Sequence, residues 1–418
     1  MSGVLVATLL MVAVGFGMGL ERFVVGEPAM SSQRHEELTD LEAFETLVLT
    51  YDTIREQYVG SDDITDEELI WGAATGMVEA LGDTGHSRFL TPDEAERERA
   101  ALSGELIGIG VRVDYTVSPP VVIVPIPDSP AFEAGIRAGD VIVAVDGQST
   151  TDFANPEDAM GILTGDEGTD VTMELIHAGE TESYEVTITR QRFKVDSVFW
   201  AMLPGDVLWV NITEFQQNTA REFKAALEAG IDLGAKGVIL DLRANPGGLV
   251  VEQMAVATQL HPSDSVLVQI ADSEGNITER MTRGDNGLWQ DGPLVVLIDQ
   301  NSASSAEVVA SSVQDNERGI LVGQTTVGTG TTLSPVDFPD GSMMWIGVTN
   351  FLSADGNVIW HEGIHPDIEV VNEPGVQLSL PYLFDDADIS QEQLDEVEDD
   401  QLLTGYDEVI RMINEDNS

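Results

Sequence analysis

The chain has 418 residues, with 19 Lys and Arg against 74 Asp and Glu, a formal net charge of −55, and no cysteine. Phosphate backbones and anionic headgroups are held by Lys and Arg, so this balance argues against nucleic acid as a partner and disfavours docking on anionic lipid. The lack of cysteine removes disulfides, thiol nucleophiles and thiolate metal sites. The acidic excess reads as a solvated surface whose self-repulsion salt would screen.

Met1 to Leu20 carries no charged side chain, and the first is Glu21. At about 1.5 Å per residue, twenty residues span about 30 Å, the thickness of a bilayer's hydrocarbon core. No Lys or Arg precedes the apolar run and no Ala-x-Ala site follows it, so residues 1–22 are expected to be an uncleaved anchor rather than a signal segment. Residues 31–100 read as helical, with Leu41, Phe44, Leu47, Val48, Tyr51 and Ile54 at helix spacing. Thr65 and Glu68 have capping-box spacing, and Thr91-Pro92-Asp93-Glu94 reads as a fresh helix start. Between them lies a polar turn, Leu81 to Leu90, containing His86.

From Gly104 the texture changes to short strands and glycine turns. Strands are expected at Val111 to Asp114 and Val121 to Val124, a short helix at Pro156 to Leu163, and a hairpin of Val171 to Ile176 with Tyr184 to Thr189. Residues 101–191 thus form a small β domain. Residues 195–375 then alternate strand and helix: Val207 to Ile212, Thr219 to Ala229, Gly237 to Leu242, Gly248 to Leu260, Leu294 to Ile298 and Ser304 to Asp315. That order predicts an α/β core with a mostly parallel sheet. Residues 376–418 read as an acidic, amphipathic helical extension.

Two stretches carry resemblances. Asp128 to Gly147, with Ser129-Pro130-Ala131, Ala134-Gly135-Ile136, Gly139-Asp140 and Val145-Asp146-Gly147, resembles a PDZ domain of the bacterial protease type. Such domains take a peptide C-terminus by strand addition and hold its carboxylate on backbone amides. The resemblance assigns that loop and strand to Leu106, Ile107, Gly108, Ile109 and Gly110. In the core, Gly237 to Gly248, Asn301 to Glu307 and Asp355 to Asp367 resemble the carboxyl-terminal processing, or tail-specific, serine peptidases. The likeness runs from about Leu41 to Val370 and implies a multi-domain α/β fold: an N-terminal helical region, a β-sandwich-like PDZ domain, and a ClpP/crotonase-like α/β peptidase core. It makes Ser304 the nucleophile. The residues agree: a serine at a helix N-terminus has free amides and a positive dipole end nearby. The Ser305 N–H can face an oxyanion, and Gly247 and Gly248 can offer a second amide.

The resemblance breaks at the base. The family's usual lysine, 25 residues after the nucleophile in a Gly-Lys-Gly turn, is here Thr329, and the glutamine four residues later is Leu333. Neither can take a proton from serine near neutral pH. Histidine is the natural substitute. Relatives that use a serine–histidine pair carry a similar histidine before the core, which puts His86 first and His361 second. Asp83, Asp241 or Glu362 is open as an orienting carboxylate, and Thr329 as a hydrogen-bonding group. The expected function is therefore a serine-type endopeptidase cutting proteins at or near their C-termini, the PDZ domain recognising the tails. The alternative is a catalytically inactive, membrane-tethered peptide-binding adaptor. A trypsin-like enzyme with a trailing PDZ domain is excluded by chain order. No metal or cofactor is implied. Partners would be protein or peptide substrates, and the body would lie on the extracytoplasmic side of the cell membrane.

Overall fold

The computed structural model describes residues 42–83, 86–114, 118–126, 128–152, 163, 165–282, 287–372 and 388–416. The expected anchor (1–22) and nearly all of the expected helix at 156–163 lie outside them. No helix among the described residues is long and apolar enough to cross a membrane. The chain divides into two compact units, Met1–Gly72 and Ala73–Ser418.

In the first unit, α1 (Glu42–Gln57) is followed by a 3-10 turn (Ser61–Asp63) and the start of α2 (Asp66–Glu79). Arg55 fixes the turn: its guanidinium donates to the carbonyls of Ser61 (2.8 Å) and Ile64 (2.6 Å) and pairs with Asp66. The capping box forms as its spacing predicts, with Thr65 N donating to Glu68 Oε2 at 2.6 Å and Glu68 N to Thr65 Oγ1 at 3.2 Å.

The second unit opens with the end of α2. The expected polar turn, Leu81 to Leu90, ends in a strand, β1 (Arg88–Leu90), which joins a sheet built mostly from much later residues. Helix α3 (Pro92–Leu102) follows, capped by Thr91 and Glu94. Then β2 (Glu105–Gly108) pairs antiparallel with β9 (Gln191–Lys194). The inserted domain is thus entered and left through one two-stranded ribbon. Between lie β3 (Val111–Asp114), β4 (Val121–Pro125), α4 (Pro130–Glu133), β5 (Val141–Val145), β6 (Gln148–Ser149), β7 (Asp170–Ile176) and β8 (Ser183–Thr189). They form an antiparallel sheet in the order β3-β4-β5-β7-β8, with β6 on β5. Its core gathers Ile109, Val122, Ile136, Ile142, Met173 and Leu175. Strand β3 is an edge strand among the described residues.

The core begins with β10 (Val198–Leu203), β11 (Val207–Ile212), α5 (Thr219–Asp232), β12 (Gly237–Asp241) and α6 (Val250–Leu260). It continues with β13 (Val266–Ala271), β14 (Ile277–Met281), β15 (Leu294–Ile298), α7 (Ser305–Asp315), β16 (Ile320–Gly323), β17 (Thr331–Asp337), β18 (Met343–Leu352) and β19 (Ile368–Glu369). It ends with α8 (Gln391–Asp395) and α9 (Asp400–Asp416). The main sheet runs β10-β11-β12-β15-β16-β19, parallel except for β10 on β11.

Both faces of this sheet are covered, which is why its strands read as unbroken apolar runs. Leu208, Val210, Leu240, Val296 and Ile298 pack against α5, α6 and α7. Val207, Trp209, Ile239, Val295 and Leu297 pack against Leu402, Val409 and Ile413 of α9. The tail expected as an extension is therefore the second helical layer of the core. Each of its three buried apolar side chains contributes about 2 kcal/mol. A buried ion network locks it: Arg243, just after β12, reaches Asp241 at 2.7 Å and Asp399 at 2.7 Å, all three with side chains at most 1% exposed. A second sheet, β1-β18-β13-β14 with β17 on β18, sets Arg88 opposite Trp345.

Candidate active site

Strands β12 and β15 are parallel neighbours, so the turns leaving their C-terminal ends meet in space. Asn245, fully buried, ties them. Its Nδ2 donates to Ile212 O (2.7 Å), its Oδ1 accepts from Gly247 N (2.8 Å), and its own carbonyl accepts from Ala303 N (2.9 Å). Ser302 Oγ adds a bond to Leu242 O at 2.8 Å. Gly247 and Gly248 have φ of 105° and 132°, a region side chains rarely enter. A Cβ on Gly248 would fall 2.3 Å from Phe215 O, and one on Gly247 would fall 2.7 Å from Ser304 Cβ. Only glycine lets the chain pass this close to the serine.

Ser304 is the N-cap of α7 and is half-buried, with φ 52° and ψ −112°. Such a conformation costs about 1–3 kcal/mol and persists only where neighbours hold it. Here they do. Ser304 N donates to Glu307 Oε2 at 2.8 Å and to Thr329 Oγ1 at 2.6 Å. Thr329 Oγ1 in turn donates to Glu307 Oε2 at 2.6 Å. The Glu307 side chain is fully buried and also accepts from Thr326 Oγ1 (2.5 Å), Gly328 N (2.6 Å) and Thr329 N (3.0 Å). One carboxylate thus pins the 326–329 turn to the first turn of α7. Sequence reasoning used Glu307 only as a motif marker; its Ser-x-x-Glu spacing was the available signal.

The N–H of Gly247 is engaged by Asn245 and so is withdrawn from the expected donors. The N–H groups of Gly248 and Ser305 carry no acceptor among the described residues. They flank Ser304, since Ser305 Oγ donates to Gly248 O at 3.0 Å and the Gly247 Cβ direction meets Ser305 N at 3.1 Å. A serine hydroxyl beside two amides that have no acceptor among the described residues offers the donors acyl transfer needs.

His86 comes to this region from 218 positions earlier in the chain. Its Nδ1 lies against Thr331 Oγ1, and Thr331 is two residues from Thr329. The turn carrying it is fixed by Ser87 N on Asp83 Oδ2 (2.9 Å) and by Gly347 N on Ser87 Oγ (3.0 Å). Burial pushes the His86 pKa below its ordinary value, and Arg88 adds to this; the Asp83 and Glu307 carboxylates pull the other way. His361 is exposed, stacks on Trp360 with ring centroids 4.6 Å apart, and meets the turn through its backbone, His361 N donating to Gly328 O at 2.8 Å. Of the open carboxylates, Asp83 stands beside His86, Glu362 is exposed, and Asp241 is taken up by Arg243 and so is unavailable to an imidazole.

In the inserted domain, Leu106, Ile107 and Gly108 lie on β2, Leu106 exposed and opposite Phe193. Ile109 is buried, and Gly110 (φ 80°) leaves room for Ser129, whose Oγ donates to Gly110 O at 3.0 Å. The loop leads straight into the edge strand β3.

Comparison with known proteins agrees with both resemblances. Residues 206–370 match the model of peptidase family S41 and residues 121–176 that of the PDZ domain. The chain is 31% identical over 369 residues to the carboxy-terminal processing protease CtpA of Bacillus subtilis, covering 88% of this chain and 77% of the relative. It is 32% identical over 361 residues to the carboxyl-terminal-processing protease of Synechocystis, covering 84% and 81%. A solved S41 protease structure from Bacteroides fragilis shares the fold, with a TM-score of 0.51, 17% identity and coverage of 78% and 90%. Relatives named as proteases do not favour the inactive adaptor. The chain belongs to peptidase family S41 and is a serine peptidase of the carboxy-terminal processing type carrying a PDZ domain.

Proposed function

We propose that the chain cleaves proteins at or near their C-termini with Ser304 as nucleophile and His86 as general base, in place of the family's lysine. The observation that carries this is the strained Ser304 set between the free amides of Gly248 and Ser305, with His86 joined to the same turn through Thr331. With Nδ1–H given to Thr331 Oγ1, His86 Nε2 is left as the acceptor for the Ser304 proton. Its lowered pKa keeps the ring neutral, as a base must be. Ser304 Oγ attacks the scissile carbonyl, the Gly248 and Ser305 amides hold the oxyanion, and the imidazolium returns its proton to the leaving amine. Thr329 acts as a positioning group, orienting Ser304 through its backbone N–H.

The loop Leu106 to Gly110 and the β3 edge take the substrate tail by strand addition. Residues 1–22 tether the enzyme to the membrane, with the body extracytoplasmic; the apolar run of Met1 to Leu20 supports this reading. The test is labelling by a fluorophosphonate probe, expected for the wild type and absent in Ser304→Ala. His86→Ala should lower the labelling rate about a thousandfold and His361→Ala less than threefold. The reverse order would move the base to His361.

A further inference from the structure

Helices α6 and α7 are eleven residues each, and they carry the two free amides at their N-terminal ends. At that end they are tied by Ala303 N to Asn245 O (2.9 Å) and by Ser305 Oγ to Gly248 O (3.0 Å). At the opposite end two side chains tie them, His261 from α6 and Arg318 from the turn after α7. His261, the C-cap of α6, is fully buried. Its Nδ1 lies 2.9 Å from Ala257 O in the last turn of α6, and its Nε2 lies 3.0 Å from Ser312 O in the last turn of α7. Both partners are carbonyl oxygens, which only accept. Both belong to helix C-termini, which carry partial negative charge, and Ser312 O also accepts from Asn316 N (3.3 Å) and Asn316 Nδ2 (2.8 Å).

We infer that His261 is a positioning residue for the hydrolytic reaction. Its Nε2–H bond to Ser312 O fixes α7 along and around α6, and with it the convergence of the Ser305 and Gly248 amides on the oxyanion. The inference rests on the proposed function above. Without the His261 bond the C-terminal end of α7 is tied to α6 by Arg318 after the helix and by no bond from the last turn of α6 to Ser312, and the added freedom moves Ser304 against Gly248. Misplacement of reacting groups on the scale of 1 Å costs about a hundredfold in rate. The next residue, Pro262, cannot extend the helix. Arg318 is a second tie at the same end: its backbone N donates to Val313 O in the last turn of α7 at 2.9 Å, and its Nε donates to Leu260 O at the end of α6 at 2.7 Å.

A neutral ring carries one N–H and donates in only one of these contacts; side-chain amides separate them, because a Gln amide nitrogen sits where His Nε2 sits and an Asn amide nitrogen where Nδ1 sits. His261→Gln, His261→Asn and His261→Leu are compared in the full chain by fluorophosphonate labelling rate and by kcat and KM on a tail peptide. Gln is expected to stay within threefold of wild type. Asn and Leu are expected to lose about tenfold or more in labelling rate and kcat, with KM within twofold. Equal activity of all three, or an equal loss in all three, overturns the tie, and so does a Leu variant as active as Gln, the result expected if His261 only fills volume. Should the variants fail to fold, nitrogen NMR of the wild-type ring decides. A protonated Nε2 from pH 5 to 8 supports the tie, and a bare Nε2 overturns it. Wild type that does not label at all sinks the proposed function, while the NMR result still decides the tie.

Discussion

Gly247→Ala offers a sharp test of the site's geometry. The new Cβ would lie 2.7 Å from Ser304 Cβ and 3.1 Å from both Ala303 O and Ser305 N. Carbon atoms settle at about 3.5–4.0 Å, so about 1 Å must be found. Little around it can yield. Ser304 N is held by Glu307 and Thr329, Ala303 N by Asn245, and the glycine turn by Phe215 N on Gly247 O at 2.7 Å. A shift of that size at the nucleophile should cost about a hundredfold in labelling rate, or about 2.7 kcal/mol of barrier. The backbone at φ 105° adds strain of about 1–3 kcal/mol to the fold. Gly234→Ala separates the two effects. Gly234 has φ 92° but nothing within 4 Å of its Cβ direction, and it lies between α5 and β12. It should lose comparable stability and keep its labelling rate. Both variants are measured by melting temperature and by labelling at a fixed interval below it. If folded Gly247→Ala labels within threefold of Gly234→Ala, the crowding around Ser304 has been misread.

The labelling rate of wild type should rise with pH through a pKa below the ordinary value near 6.5, because the neutral His86 is the active form and burial lowers its pKa. Glu307→Gln removes a carboxylate that favours the imidazolium, so the limb should move to lower pH whatever happens to the plateau; a move upward contradicts the assignment. Thr329→Lys in a His86→Ala background places an amine beside Ser304, since Thr329 Oγ1 already sits 2.6 Å from Ser304 N. Labelling should recover at least tenfold over His86→Ala, with its limb displaced to alkaline pH because an amine must be neutral to act. Arg243→Met leaves the buried carboxylates of Asp241 and Asp399 without their cation and should cost about 3–5 kcal/mol in denaturant unfolding. A loss under 1 kcal/mol would mean that water or protonation relieves the pair.

The parts of the fold visible in the sequence are those that local physics decides. Val207–Ile212 and Leu294–Ile298 announce themselves as buried strands because helices cover both their faces. Thr65 and Glu68 announce a helix start because three residues bring one side chain back to the other's amide. Ser304 was legible because its helix start and its motif coincide. What was hidden depends on long-range closure. The second sheet pairs β1 with β18, and its strands alternate poorly because one face is only half covered, as the burial of Met343–Leu352 shows. Arg243 and Asp399, 156 positions apart, look from the sequence like an ordinary motif residue and one more acid in an acidic tail. That tail packs on the sheet through Leu402, Val409 and Ile413, while Asp400, Asp407 and Glu415 face outward, and composition alone shows only the acids.

The carboxylates make the same point at the catalytic centre. Sequence offered Asp83, Asp241 and Glu362 as partners for an imidazole, all chosen by proximity to a motif. The fold instead buries Glu307 among five donors, three of them from the turn where the family keeps its lysine. A lysine there would bring its own positive charge to that carboxylate. Threonine brings a hydroxyl, and the balancing charge must arise elsewhere. In the mechanism proposed above, the imidazolium formed at His86 would supply it, because the Glu307 charge favours that form. On the proposed mechanism, threonine at 329 and a histidine base go together, because both answer to the buried Glu307 carboxylate. Its consequence is that the pH at which half the His86 is neutral should be lower in Thr329→Lys, with His86 left intact, than in Thr329→Val, since the new ammonium offsets the Glu307 charge at the ring. An NMR titration of His86 in the two variants measures the difference, and identical midpoints would remove Glu307 from the account of the base.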